Sequence, residues 1–461
     1  MCLTKEKSFY REFFNLYVPL VLYNIVLFGV NLADNVMIGA YSETALSGVA
    51  AVNQIQFVFQ QVIVSAGDAV VVLGSQYWGA HRKNEIKHIA CGALYVGAGL
   101  GLLLFLAATF FPVQLLGLFT SSPEIIAQGT AYLDIIKYTY LFFALTNILL
   151  AYLRCAQTVR IGFYISLMSL VINCTINYIL IYGNFGAPEL GVHGAAIGTL
   201  CARVAEFVVV LLYLFLFEHK LSTKPKELFV ANRALFSDYI KIAWRFIAVG
   251  TAFGISTALQ TVILGHMTDA AIAANSAAST LYQVLKVAAT GAASAASVII
   301  GKTLGAAKSR TEVLPRIRSY VQTLQLMFLS IGLLTGLLLF CLRTPILSMY
   351  TSLSEEAHTL AMQFLTVLSV TCVGSSYQMP VIVGIIRGGG DARFPLINDF
   401  ISIWCIVLPL SFCAAFVFHW PPVAVVLCLN ADQIFKCLPA VIKVNRYRWM
   451  YKLTRTTENT V

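Results

Sequence analysis

A single carboxylate, Asp34, sits in the stretch NLADNVMIG (31–39), flanked by the largely apolar YNIVLFGV and AYSETALSGV. Placing an ionisable group in an apolar spanning helix costs about 2.5 to 3.5 kcal/mol, so its presence implies a task. Desolvation favours the neutral form of a carboxyl group in general. Such a group is suited to taking up and releasing a proton, or to holding a bare Na⁺. The next apolar stretch carries Asn53, Gln56, Gln60 and Asp68, which at helical spacing share a face about 120° wide. Lys286 and Asp432 lie at similar depth in two later stretches and could pair. Alternatively Asp432 pairs with Lys436 one turn away, leaving Lys286 free for an anionic group or a proton. Asp134 with Lys137 and Arg203 with Glu206 are i, i+3 pairs and read as structural. No HExxH, GxSxG or metal-spaced His and carboxylate set occurs in these stretches, and the 11 cysteines form no CxxC pair. The expectation is therefore a protein that is not an enzyme and carries no cofactor, with Na⁺ at Asp34 the one metal ion to consider.

The elements that hold these residues follow from hydropathy. The chain is 59% hydrophobic and 11% charged with mean hydropathy +0.79, whereas soluble domains carry about 25% charged residues. A bilayer core of about 30 Å needs roughly 20 apolar residues per helix. Twelve runs of that kind occur, near 13–40, 45–76, 89–111, 125–152, 160–183, 191–217, 238–265, 271–300, 319–342, 357–386, 394–418 and 422–445. Strand-like alternation is missing, so an all-α polytopic membrane protein is expected. With the N-terminus placed in the cytoplasm, 27 of the 31 Lys and Arg residues fall on the inner side. Both termini are then cytoplasmic. The net charge of +10 reflects this topology and attraction to anionic lipids, not nucleic acid.

The chain also repeats itself. At an offset of 226, residues 32–80 align with 258–306 without a gap, with ten of 49 pairs identical. LRCAQTVR (153–160) matches IRGGGDAR (386–393) at an offset of 233. Six spans per copy is even, so the copies are parallel repeats, and a substrate cleft is expected between them. The expected division is a six-helix bundle in 1–218, a basic linker in 219–241 and a second bundle in 242–461. Matching stripes, Asn53, Gln56 and Gln60 in one copy and Ser279, Tyr282 and Lys286 in the other, are candidate substrate contacts, as is Gln260, the counterpart of Asp34.

Together, the first-span Asp in NLADNVMIG, the turns LRCAQTVR and IRGGGDARFP, VINCTINYILIYG leading into GVHGAAIGT, and the closing ADQIFKCLPAVIKVNRYRW resemble the multidrug and toxic compound extrusion (MATE) transporters. The resemblance spans nearly the whole chain. It implies export of amphipathic organic cations in exchange for H⁺ or Na⁺, by a pair of bundles opening alternately to each side. It further implies an ion-coupling group of Asp34 with Asn173, Asn177 and Thr199. Asn177 departs from the family pattern, which has an acid there, so the cluster holds one formal charge and the ion stays open. Family branches that use acids in the C-terminal half would place them near Phe253 and Ser376, where this chain has none within a turn, so it is closest to the DinF-like branch. A flippase for lipid-linked saccharides, from the same superfamily, is the alternative; it normally needs several cleft cations, where Lys286 stands alone. A monomer in a bacterial inner membrane is the expected setting.

Overall fold

The computed structural model describes residues 3–120, 122–348 and 354–455. These residues form helices and their connections, and no strand occurs among them. The first half comprises α1 (Lys7–Tyr41), α2 (Glu43–Gly79), α3 (Lys83–Phe110), α4 (Pro123–Ile136), α5 (Thr139–Cys155), α6 (Arg160–Tyr182) and α7 (Val192–Leu216). The second comprises α8 (Arg233–Gly265), α9 (Asp269–Ala306), α10 (Arg310–Leu347), α11 (Glu355–Ile386), α12 (Arg393–Val417) and α13 (Pro422–Asn445). Eleven of these helices are long and apolar enough to cross a membrane, and twelve spans result when α4 and α5, bent by 53°, are taken as one. Apolar side chains remain well exposed on the outer faces, such as Leu103 at 65% and Leu334 at 67%, as a lipid-facing surface requires.

The α4–α5 break contains neither Pro nor Gly. Around Lys137 and Tyr138 the backbone tightens, with Tyr138 N donating to Ile135 O and Tyr140 N to Lys137 O, both at 3.3 Å. The Thr139 hydroxyl donates to Ile136 O at 2.6 Å, satisfying a carbonyl that the broken ladder frees. Elsewhere, prolines set the irregularity. Pro380 and Pro409 lack the N–H that a regular turn needs, and the chain winds in wider π-type turns at Pro380–Ile386 and at Phe400–Val407.

By contacts, the described residues group into two compact units: Leu22–Thr251, and Met1–Val21 together with Ala252–Val461. Both α1 and α8 are therefore divided, each giving its opening turns to one unit and the rest to the other. In the first unit an apolar core gathers Ile38, Val52, Phe59, Ile63 and Tyr140. The basic stretch 219–241 is fastened to that unit: Lys87 Nζ donates to Glu227 Oε2 at 2.8 Å, Tyr152 meets Thr223 at 2.7 Å, and the Tyr239 hydroxyl donates to Ala66 O at 3.1 Å. In the second unit the core gathers Tyr282, Leu339, Phe364, Leu365 and Val426. There Gly384 lets α11 approach α9 closely, since a Cβ would meet Ala293 O at 2.7 Å. The start of α1 and the residues leading into it are tied in by Thr4 N to Thr323 Oγ1 at 3.0 Å, Glu6 to Arg316 at 3.0 Å and Glu12 to Lys302 at 2.9 Å.

Candidate functional site

The lower turns of α1, bearing Asp34, pack in the Leu22–Thr251 unit beside α6 and α7. Asn177, on α6, donates from Nδ2 to Asp34 Oδ1 at 2.6 Å and approaches Asn173 Oδ1 at 3.4 Å. Asn173 Nδ2 donates to Thr199 Oγ1 at 3.3 Å, and Thr199 in turn donates to Ala195 O at 3.2 Å. Asn173 and Asn177, one helical turn apart, are fully buried. The four residues singled out by resemblance thus form one connected network ending on a carboxylate. Hydrogen bonds to an ionised acceptor are the stronger kind.

Gly198 makes the cluster possible, because a Cβ at this position on α7 would collide with Asn177 Oδ1. That oxygen is buried and has no hydrogen-bond partner among the described residues. It rests against the bare glycine.

Asp34, Asn173 and Thr199 line a chamber of about 40 Å³. A water needs about 10 to 15 Å³ by this kind of measure, so the chamber has room for an ion with a few waters. The α2 stripe reaches the same place: Asn53, Gln56 and Gln60 all line it. Their relation to Asp34 is thus one shared polar chamber within one unit. Tyr132 and Tyr140, from either side of the α4–α5 bend, complete its wall and were not foreseen from sequence. Their spacing of eight residues would have placed them on one helical face, a signal that was available. Arg203 also lines the chamber while its guanidinium holds Glu206 at 2.8 Å, so the local pair is real and its cation additionally borders the site.

The C-terminal candidates lie in the other unit. The Tyr282 hydroxyl donates to Ser375 Oγ at 3.2 Å, Ser279 donates to Ser276 O at 3.3 Å, and Gln260 is half-buried on α8. The direct pair of Lys286 with Asp432 does not form. Asp432 Oδ2 pairs with Lys436 at 3.0 Å, four residues on along α13, and Lys436 also reaches Asp399 Oδ1 at 2.9 Å. A partner on the same helix turn needs no rearrangement of the backbone, which is why it prevails. Asp134 meets Lys137 at 3.2 Å, as the i, i+3 spacing implies. Asp68 comes within 3.9 Å of Arg154 and stands apart from the chamber lining. Among the described residues no group of three or more His, Cys, Asp or Glu is arranged to hold a metal ion.

A polytopic helical bundle with one partly buried acid in an amide-lined chamber defines a membrane transport protein rather than a lipid-facing scaffold. The MatE family model matches residues 19–179 and 246–413. The probable multidrug resistance protein NorM of Bacillus thuringiensis subsp. konkukian is 25% identical over 429 residues, covering 89% of each chain. The protein of the same name from Listeria innocua is 25% identical over 414 residues, covering 88% of each. Among solved structures, a mutant of the Vibrio cholerae MATE transporter VcmN superposes with TM-score 0.85 at 18% identity, covering 97% of this chain and 98% of that one. A MOP superfamily transporter from Pyrococcus furiosus gives TM-score 0.83 at 16% identity, covering 98% and 100%. The chain belongs to the MatE family and is a MATE transporter.

Proposed function

We propose that this chain is a proton-coupled exporter of amphipathic organic cations, working by alternating access in the plasma membrane with both termini in the cytoplasm. The observation that carries the reading is the Asp34 carboxylate, held by Asn177 at 2.6 Å inside a polar chamber with room for an ion and a few waters. The Asn177 amide N–H donates to this one acid and the Arg203 cation borders the same chamber. A bare Na⁺ needs oxygens turned toward it and no neighbouring cation, whereas a proton neutralises the carboxylate without a coordination shell. Coupling requires that the proton favour one conformation and the substrate the other. Neutralising Asp34 removes the charge that Asn177 grips, which gives the proton a differential interaction to act through. The export of drugs rests on the relatives' names as multidrug resistance proteins. The amide stripe of α2 extends the polar surface from Asp34, with Gln260, Ser279 and Tyr282 as further substrate contacts in the second repeat.

The test is efflux of a fluorescent organic cation from proteoliposomes under an imposed pH or Na⁺ gradient. Transport in the parent should follow the pH gradient and fall at least about tenfold in Asp34→Asn. Equal rates in the two proteins would reduce Asp34 to a structural group. A response to the Na⁺ gradient alone would replace the proton by Na⁺.

A further inference from the structure

Within the Ala252–Val461 unit, α10, α11 and α13 enclose a groove of about 560 Å³. Leu333, Leu337 and Phe340 of α10, Val370 of α11 and Ile434 of α13 form its walls. Its depth comes from Gly336 and Gly374. A Cβ at Gly336 would meet Ser369 O at 2.7 Å and one at Gly374 would collide with Gln433 O, so backbones meet at the floor while larger side chains rise around them. Leu337 and Val370 are 62% and 60% exposed, which leaves the groove open to the bilayer. Sites that hold small molecules have volumes of about 300 to 1,000 Å³.

A cation heads this groove. Arg343 continues the row of Leu333, Leu337 and Phe340 along one face of α10, and its guanidinium carbon lies 3.7 Å from the centre of the Phe340 ring. Its Nη1 donates to Thr366 Oγ1 at 2.6 Å, on the turn of α11 that precedes Val370, so the side chain bridges the two helices. A guanidinium has five N–H donors. Among the described residues one of them is taken, and no carboxylate lies within ion-pair distance. The position runs against the charge bias of the chain. In the topology proposed above, Arg310, Arg316 and Arg318 mark the cytoplasmic end of α10, and Arg343 stands near the opposite end. From Leu333 to Arg343 the helix rises about 15 Å, half of a hydrocarbon core of about 30 Å. The groove is thus as long as one leaflet is deep, with a cation at its interfacial end.

We propose that this groove binds one anionic glycerophospholipid of the outer leaflet, with its phosphate on Arg343 and an acyl chain lying between Leu337 and Val370. Arginine pairs with phosphate through charge-assisted, often bidentate hydrogen bonds. A zwitterionic headgroup would bring a second cation to the same place, which favours a headgroup of net negative charge. The inference concerns the lipid side of the transporter and depends on neither the coupling ion nor the drug.

Photocrosslinking tests it. Purified full-length protein in detergent micelles containing phosphatidylcholine is titrated with a phosphatidylglycerol that carries a diazirine in its acyl chain, then irradiated, and the adducts are mapped by peptide mass spectrometry. Adducts should concentrate at Leu333, Leu337 and Val370 and be displaced by unlabelled phosphatidylglycerol at least about fivefold more effectively than by phosphatidylcholine. In Arg343→Gln the probe concentration that half-saturates these adducts should rise about tenfold or more. Adducts at the exposed Leu103 of α3, in the other unit, should be unchanged, which controls for folding. Labelling spread evenly over exposed apolar faces, or groove labelling indifferent to Arg343→Gln, overturns the inference. Equal displacement by the two unlabelled lipids overturns the anionic headgroup.

Discussion

Gly198→Ala isolates the grip of Asn177 on Asp34. The added methyl group would collide with Asn177 Oδ1, whereas the nearest backbone atom beyond that side chain, Asn173 O, lies at an ordinary 3.5 Å. The substitution therefore acts through one side chain. In a helix, Ala is favoured over Gly by about 1 kcal/mol, and forcing an extra group into a packed site costs about 1 to 3 kcal/mol. The net loss of stability is about 0 to 2 kcal/mol, from the same two terms. Function should suffer more than stability. Displacing Asn177 breaks its 2.6 Å hydrogen bond to Asp34, and bonds to charged groups contribute about 1.5 to 3 kcal/mol, equivalent to about 10- to 100-fold in an equilibrium constant. Proton-driven efflux from proteoliposomes should fall by that order in Gly198→Ala and in Asn177→Ala alike. The double substitution should be no worse than Asn177→Ala alone and should melt higher than it, because the clashing oxygen is gone and the helix gain remains. If Gly198→Ala is as harmful in the Asn177→Ala background as in the parent, the collision with Asn177 is not how this glycine acts.

Two further outcomes follow from the ion pairs of the Ala252–Val461 side. Lys436→Met strands Asp432, whose side chain is 7% exposed, and Asp399 at 26%; breaking a buried pair costs about 3 to 5 kcal/mol. The melting temperature in detergent should drop steeply and recover for the most part when Asp432→Asn is added; a double variant as unstable as the single would show that the charge is not the cause. Glu6 is held below the usual carboxylate range by the Tyr320 hydroxyl at 2.7 Å and by the Arg316 guanidinium, against a smaller opposing effect of burial. A lowered value means that its stabilising contribution is present above the unfolded value and is lost as pH falls, here below about 4. Amide exchange in residues 3–12 should quicken with acid in the parent, whereas Glu6→Gln should be loosened already at neutral pH with a flat profile. Acid loosening that persists unchanged in Glu6→Gln would assign the effect elsewhere.

Hydropathy located the spans because burial in lipid imposes a length on every helix, and that constraint acts on composition alone. It could not reveal the bend at Lys137, where no Pro or Gly marks the break and a Thr139 hydroxyl takes up the freed carbonyl. Nor does hydropathy register the wide turns that accompany Pro380 and Pro409, each set within an apolar run. The Asp34 cluster was legible through motif resemblance, since Asn173 and Asn177 are one turn apart and Thr199 lies in the GVHGAAIGT stretch. Gly198, in that same stretch, says nothing by itself: its role depends on which atom of a neighbouring helix fills the space it leaves. Likewise the choice of Lys436 over Lys286 by Asp432 was one of two readings until the pairing distances separated them. The sequence repeat divides the chain at 219–241, while contacts divide it inside α1 and α8, because duplication records where a copied segment begins and packing records which surfaces meet.

That division has a consequence for biosynthesis. The partners of the residues leading into α1 and of its first turns are remote in sequence: Thr4 waits for Thr323, 319 residues later, Glu6 for Arg316, 310 later, and Glu12 for Lys302, 290 later. Residues 4–12 thus find their partners only once α9 and α10 have been made. Charged residues at Lys5, Glu6, Lys7, Arg11 and Glu12 suit that interval of waiting at a membrane surface.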